Sequence, residues 1–113
     1  MVIDSDNVLD HLKAAVIVLD EELSVLYLNQ TAQSLCGQSL SRSLGASFSS
    51  LFKDPHLAAT TLRTNLASDQ PFTKRETSLL ITSKGEKITA NYSISPLQNG
   101  RVLIEIEPLD RFK

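Results

Sequence analysis

The chain has 113 residues, a formal net charge of −2 and a hydrophobic content of 42%. This length corresponds to one domain, whose core can be large enough to fold without disulfides or a structural metal. The 11 basic residues are scattered along the chain, which argues against nucleic acid as the main partner. The single cysteine excludes an internal disulfide and favours a reducing compartment.

The N-terminal segment has the pattern of a short amphipathic helix. Val8, Leu9 and Leu12 fall on one helical face, and position 6 or 7 supplies a polar cap. The segment is acidic at its start and has no long apolar run, so we expect neither a secretory signal nor a membrane span. These features predict a cytoplasmic protein.

Two short apolar runs follow, Val16–Asp20 and Val25–Asn29, separated by an acidic turn. Their length and their β-branched residues predict two strands of a hairpin. Asn29 can cap a helix that begins at once, and Gly37 is placed to end that helix in the left-handed conformation. The buried side of the helix is expected to comprise Ala32, Leu35 and Cys36.

The middle of the chain predicts further short helices. Residues 38–53 mix serine and glycine with five large apolar residues, which indicates one or two single-turn helices rather than a disordered linker. Asp54 and Pro55 then begin a longer helix, because Asp caps the free N–H groups and Pro suits the first helical position. Its apolar stripe comprises Ala58, Leu62 and Leu66.

The last third of the chain predicts three strands. Polar and apolar residues alternate there, as in a sheet with one face in water. The strands are predicted over Arg75–Thr82, Lys87–Ile94 and Val102–Ile106. A turn is expected at Lys84-Gly85. A two-residue hairpin is expected at Asn99-Gly100, because both of these residues tolerate positive φ. The fold class is therefore α+β, with a five-stranded antiparallel sheet.

The order of these elements resembles the PAS family. The matching residues are Asn29 and Ala32 in the first helix after the hairpin, Leu35 and Gly37 at its end, and Leu44-Gly45 beyond. The resemblance implies strand order 2-1-5-4-3, helices on one face of the sheet around a central pocket, and an N-terminal capping helix.

Three longer segments, 17–20, 27–35 and 100–110, resemble one group of PAS domains, those of the nitrogen-regulation sensor histidine kinases. This implies a regulatory and dimerisation domain of a cytoplasmic two-component kinase, which phosphorylates and dephosphorylates a response regulator in nitrogen assimilation. The implied parts are an N-terminal helix over residues 1–13, a PAS domain over 14–110 and the start of a linker to a kinase region over 111–113.

The resemblance implies that these residues are not themselves catalytic and hold no cofactor. The four glycines lie too far apart to line a nucleotide, so ATP would bind the kinase domain of the parent protein. The dimerisation helices of that parent, its response regulator and a small nitrogen-signalling regulatory protein would be partners of its other domains.

Two sets of residues are candidates for binding. We expect a homodimer contact at Val8, Leu9 and Leu12, whose alternative role is to pack on the domain's own sheet. The central pocket could bind a small molecule, but its apolar lining favours a filled core. The candidate lining residues are Leu35, Phe48, Leu51, Phe52, Leu62, Leu66, Tyr92 and Ile94.

The remaining alternatives depend on isolated polar residues. His56 could ligate haem, although a histidine beside Asp54 at a helix start is more often a surface residue. Cys36 could suggest a flavin adduct, but the setting of the flavin-binding cysteine in light-sensing PAS domains is missing, so a core role is expected. A pairing of Asp54 and His56 with a serine would make a small enzyme, although no catalytic signature accompanies it. No metal cluster is expected.

Overall fold

The computed structural model describes residues 14–53 and 71–109. The predicted N-terminal helix, the helix predicted to begin at Pro55 and the predicted linker lie outside the described residues. The observed elements are β1 (Ala15–Leu19), β2 (Val25–Leu28), α1 (Gln30–Cys36), α2 (Leu40–Ser43), a 3-10 turn (Phe48–Ser50), β3 (Phe52–Lys53), β4 (Phe72–Ile81), β5 (Glu86–Pro96), a second 3-10 turn (Gln98–Gly100) and β6 (Val102–Pro108).

The sheet is antiparallel and has six strands in the order β2-β1-β6-β5-β4-β3. The prediction of five strands is therefore wrong by one, while the five predicted strands keep their expected order. The extra strand is the two-residue β3, in which Phe52 pairs with Ile81 and Lys53 with Leu80. A segment of two residues is too short to show the polar–apolar alternation of a strand. It is a strand only because it pairs with β4.

Strand β4 begins at Phe72, three residues before the predicted start at Arg75. Its pairing with β5 shifts register between Lys74 and Thr77, and Glu76 has a φ of 48°. This β-bulge breaks the alternation that would have extended the prediction towards Phe72. Phe72 itself pairs with Ile94 and packs against the core.

One face of the sheet forms the core. Alternate residues of the two central strands point to this inner face, and α1 packs on β1. Burying each large apolar side chain contributes about 1.5–3 kcal/mol, so this face supplies much of the stability. The central inward-facing residues are Ile17, Leu19, Ala90, Tyr92, Ile94, Val102, Ile104 and Ile106.

Asn99 and Gly100 lie in the turn between β5 and β6, but the predicted two-residue hairpin is wrong, because Pro96 pairs with Val102 and residues 97–101 form the loop. Asn99 has a φ of 64° and Gly100 a φ of 74°. Gly100 is also required by a close approach, because a Cβ added there would lie 2.6 Å from Cγ of Glu21. The turn of the last hairpin therefore packs on the turn of the first.

The Leu44-Gly45 pair lies beside the free edge of β2. Gly45 donates its N–H to the carbonyl of Val25 at 2.9 Å, and Val25 donates to the carbonyl of Ala46 at 2.9 Å. These bonds satisfy backbone groups that an edge strand would otherwise expose for pairing with another chain.

Candidate functional site: the interior and the outer face of the sheet

Asn29 joins the first helix to the first strand. Its side-chain Oδ1 accepts hydrogen bonds from the N–H of Ala32 at 2.8 Å and of Val16 at 3.0 Å. Its Nδ2 donates to the carbonyl of Ala14 at 3.1 Å, and the residue is fully buried. The predicted cap is confirmed, and the same side chain also holds the beginning of β1.

Most of the predicted pocket residues meet in the interior. Five of them lie in the buried core and Leu35 packs against it, whereas Leu62 and Leu66 lie outside the described residues. The five buried residues are Phe48, Leu51, Phe52, Tyr92 and Ile94.

Aromatic rings occupy two regions of this interior. The ring centroids of Phe48 and Phe52 are 5.6 Å apart, and those of Phe72 and Tyr92 are 6.4 Å apart. These separations are in the range of favourable ring contacts. The described side chains thus pack directly on one another.

Cys36 is a buried residue at the end of α1. Burial raises the pKa of its thiol to about 12, against the opposing influence of the Lys84 charge. Thiols react as thiolates, so burial disfavours the reactive form of Cys36. It is a core residue, as expected.

The turn between β4 and β5 reaches across to the C-terminal end of α1. Ser83 donates its hydroxyl to the carbonyl of Cys36 at 2.7 Å, and the Lys84 Nζ donates to the carbonyl of Ser34 at 3.3 Å. Both acceptors belong to the last turn of a helix, whose carbonyls have no partner within the helix. A lysine charge at this end also suits the helix dipole.

The outer face of the sheet contains a depression of about 360 Å³. Arg75 of β4 lines one wall, and Glu105 and Glu107 of β6 line another. Asn91 and Ser93 of the intervening strand β5 also contribute to its lining. The depression therefore places opposite charges on two walls of a polar surface.

Asn91 stabilises the bulge next to this depression. Its Oδ1 accepts from the N–H of Glu76 at 2.8 Å, and its Nδ2 donates to Oε1 of Glu107 at 3.3 Å. In a β-bulge the extra residue has no partner on the neighbouring strand, so the Glu76 N–H bonds to this side chain instead. Asn91 thus links β4 to β6 across β5.

Sequence reasoning missed this outer-face cluster and the contacts of Ser83 and Lys84. The alternation of polar and apolar residues identified Asn91 only as a residue on the solvent-exposed face of a strand. The bulge that it binds lies in the neighbouring strand and leaves no signal in the sequence around Asn91. For Ser83 and Lys84 the sequence predicted only a turn. The carbonyls to which they donate lie about fifty positions earlier in the chain, so no local pattern indicated these bonds.

Several predicted features lie elsewhere or concern other chemistry. His56, Asp54 and the predicted dimer contact at Val8, Leu9 and Leu12 fall outside the described residues. Within residues 14–53 and 71–109 no group of His, Cys, Asp or Glu is arranged to hold a metal ion. In those same ranges no helix is long and apolar enough to cross a membrane.

Comparison with known proteins identifies the fold family. The profile of the PAS fold matches residues 4–106. The chain belongs to the PAS fold family. The antiparallel sheet of this PAS domain and its strand order agree with that assignment.

Relatives of this PAS domain are sensor kinases. It is 29% identical over 107 residues to the sensory histidine kinase/phosphatase NtrB of Proteus hauseri and 30% identical over 107 residues to that of Salmonella typhimurium. Each match covers 95% of the chain and 30% of the relative. The chain therefore spans about a third of the length of these relatives.

Solved structures show the same fold. The PAS domain of nitrogen regulation protein NR(II) from Vibrio parahaemolyticus is similar, with a TM-score of 0.77, 23% identity and coverage of 96% of this chain and 100% of that one. A domain of a sensory box sensor histidine kinase/response regulator from Geobacter sulfurreducens gives a TM-score of 0.74 at 20% identity, covering 91% of this chain and 90% of that one.

Proposed function

We propose that this PAS domain is the non-catalytic regulatory and dimerisation domain of a cytoplasmic sensor histidine kinase of the NtrB type, which controls nitrogen assimilation. The observation that carries the proposal is the match to two NtrB proteins along 95% of the chain. ATP, the response regulator and a small nitrogen-signalling protein would bind the other domains of the parent kinase.

The proposed output route leaves the sheet at the end of β6. Ala15, near the start of β1, pairs with Ile106, and Leu109 donates its N–H to the carbonyl of Thr89 at 2.8 Å. The chain thus enters and leaves this end of the sheet on adjacent strands. A change in packing at the outer face would reach the residues after Leu109 directly and bias kinase against phosphatase activity.

The proposed dimer contact combines the N-terminal stripe of Val8, Leu9 and Leu12 with the outer face of the sheet. A two-fold contact brings the same surface of two copies together. Arg75 lies on β4 and Glu105 on β6, with β5 between them. In a two-fold contact, Glu105 of one copy would therefore face Arg75 of the other. The opposite charges of the depression therefore support an isologous pairing.

The interior is proposed to be a filled core rather than a ligand pocket. Phe48, Leu51, Phe52, Tyr92 and Ile94 are each at most 2% exposed. Side chains that already pack to the density of a protein interior leave little space for a guest. On this view the domain transmits a packing change without a resident small molecule.

Native mass spectrometry of the 113-residue protein across a concentration series tests both points. We expect a dimer with the mass of two bare chains. A bare monomer at every concentration would overturn the dimer proposal, and an additional mass on each chain would overturn the filled core and assign a ligand-sensing role. A coloured protein with a Soret band would identify that ligand as haem.

The kinase assignment needs a separate test. Replacing the PAS region of an NtrB kinase by this chain should preserve autophosphorylation and dephosphorylation of the response regulator. The matched control carries the structurally similar domain of the Geobacter sulfurreducens protein, which is 20% identical to this chain. A chimera with this chain that is no more active than the control would contradict the assignment.

A further inference from the structure

We propose that the contact between α1 and the β4–β5 turn is a gate over the interior at Cys36. The contact consists of Ser83 and Lys84 on the turn and of Ser34, Cys36 and Gly37 on the helix end; we call it the clasp. The clasp opens locally while the central strands remain folded. This inference is independent of the proposed kinase role.

The clasp is built to separate without disturbing the core. It consists of two hydrogen bonds from side chains to backbone carbonyls, at 2.7 Å and 3.3 Å. Ser83 is half-buried and Lys84 is exposed, whereas the apolar neighbours Leu79 and Ile81 remain in the core. Segments with few buried apolar contacts open at lower free energy than the strands of a core.

The helix end and the turn that meet in the clasp each contain a glycine with positive φ. Gly37 has a φ of 70° and Gly85 a φ of 71°. Glycine occupies positive and negative φ about equally, so both positions can change conformation without the penalty that a Cβ imposes. Two permissive positions at the ends of one contact allow the turn and the helix end to move apart.

Lys84 also covers the end of the helix. A Cβ built on Gly37 would lie 2.9 Å from Cε of Lys84, so the lysine methylenes lie directly over this backbone. The hydroxyl of Ser83 donates a hydrogen bond to the carbonyl of Cys36. On this proposal, release of both side chains exposes the helix end and with it Cys36, which is only 1% exposed while the clasp is closed.

Cys36 gives a direct readout, because it is the only cysteine in the chain. The rate at which an aromatic disulfide reagent labels it measures the population of open states. Ser83→Ala and Lys84→Met each remove one bond of the clasp, and we expect roughly tenfold faster labelling for each. Lys87→Met, an exposed lysine on the same hairpin outside the clasp, should label at the wild-type rate.

Urea separates local from global opening. Labelling through the gate should depend weakly on urea at low concentration, because little surface is exposed by local opening. Global unfolding, followed by circular dichroism, gives the reference slope for every variant. The proposal is overturned by labelling rates that do not differ among the three variants, or by labelling with the full urea dependence of global unfolding.

Discussion

Asn29 and Val16 are joined by a reciprocal pair of hydrogen bonds. The N–H of Val16 donates to Oδ1 of Asn29 at 3.0 Å, and the backbone N–H of Asn29 donates to the carbonyl of Val16 at 3.0 Å. The last pairing of β1 with β2 joins Ile17 to Leu28. A side chain therefore continues the ladder by one step while it caps the helix that follows.

Replacement of this side chain should be among the more destabilising polar changes in the domain. Asn29→Ala leaves the buried N–H groups of Ala32 and Val16 without this acceptor, so we expect a loss of about 2–4 kcal/mol in the free energy of unfolding. Ser39→Ala is a matched control, because Ser39 caps α2 at an exposed position through one bond of 3.3 Å. Urea denaturation measures both, and equal losses would contradict the double role of Asn29.

Alkaline pH should weaken the fold through Cys36. Burial raises the pKa of the folded thiol from 9.0 to about 12. The unfolded thiol therefore ionises first, and its contribution to stability is complete below pH 9 and decreases as the pH rises towards 12. We expect a loss of about 1–2 kcal/mol at pH ~10.5 relative to pH ~8.

The control for this pH dependence is Cys36→Ala. This variant lacks the thiol and keeps every other group of the chain, so the difference in slope between the two proteins isolates the thiol. Urea denaturation at both pH values gives that slope. Parallel pH profiles for the two proteins would show that Cys36 ionises equally in both states.

Charge reversal tests the proposed dimer. Arg75→Glu and Glu105→Arg should each weaken self-association by roughly tenfold, since like charges would then oppose each other across the contact. An equimolar mixture of the two variants should recover association, because the mixed pair restores both arginine–glutamate contacts of the two-fold dimer. Sedimentation equilibrium measures all three samples.

Lys53→Glu provides the control for the net-charge change of Arg75→Glu, because Lys53 is exposed on the short edge strand β3. It should dimerise like the original protein. Reversal variants that associate as strongly as this control would place the dimer contact away from the depression.

A pair of glycine substitutions distinguishes the effect of backbone strain from the effect of opening the clasp. Gly37 and Gly45 have φ values of 70° and 80°, so Gly37→Ala and Gly45→Ala should each cost about 1–2 kcal/mol of stability. Only Gly37 faces Lys84; no described atom lies within 4 Å of a Cβ at Gly45. For Gly37→Ala alone, labelling of Cys36 should therefore accelerate by more than the loss of global stability accounts for. Equal acceleration in the two variants would contradict the contact between Gly37 and Lys84.

Local signals predicted much of the fold. Four predicted features depend on residues close together in the chain, and each is found: the first hairpin, the Asn29 cap, the left-handed Gly37 and the positive φ of Asn99 and Gly100. The number of strands and the start of β4 were predicted wrongly. In both cases the structure depends on pairing with a distant strand, which a short window of sequence does not contain.

The candidate site divides in the same way. Apolar periodicity identified Phe48, Phe52, Tyr92 and Ile94 as members of one interior, because burial follows from residue type and spacing. It did not indicate that the bulge at Glu76 would bind Asn91. The order of the elements, their caps and the inward faces were thus determined by the sequence alone, through nearest-neighbour backbone preferences and hydrophobic burial. The outer-face depression and the clasp arise only when strands and turns far apart in the chain come together, because their hydrogen bonds join partners from separate elements.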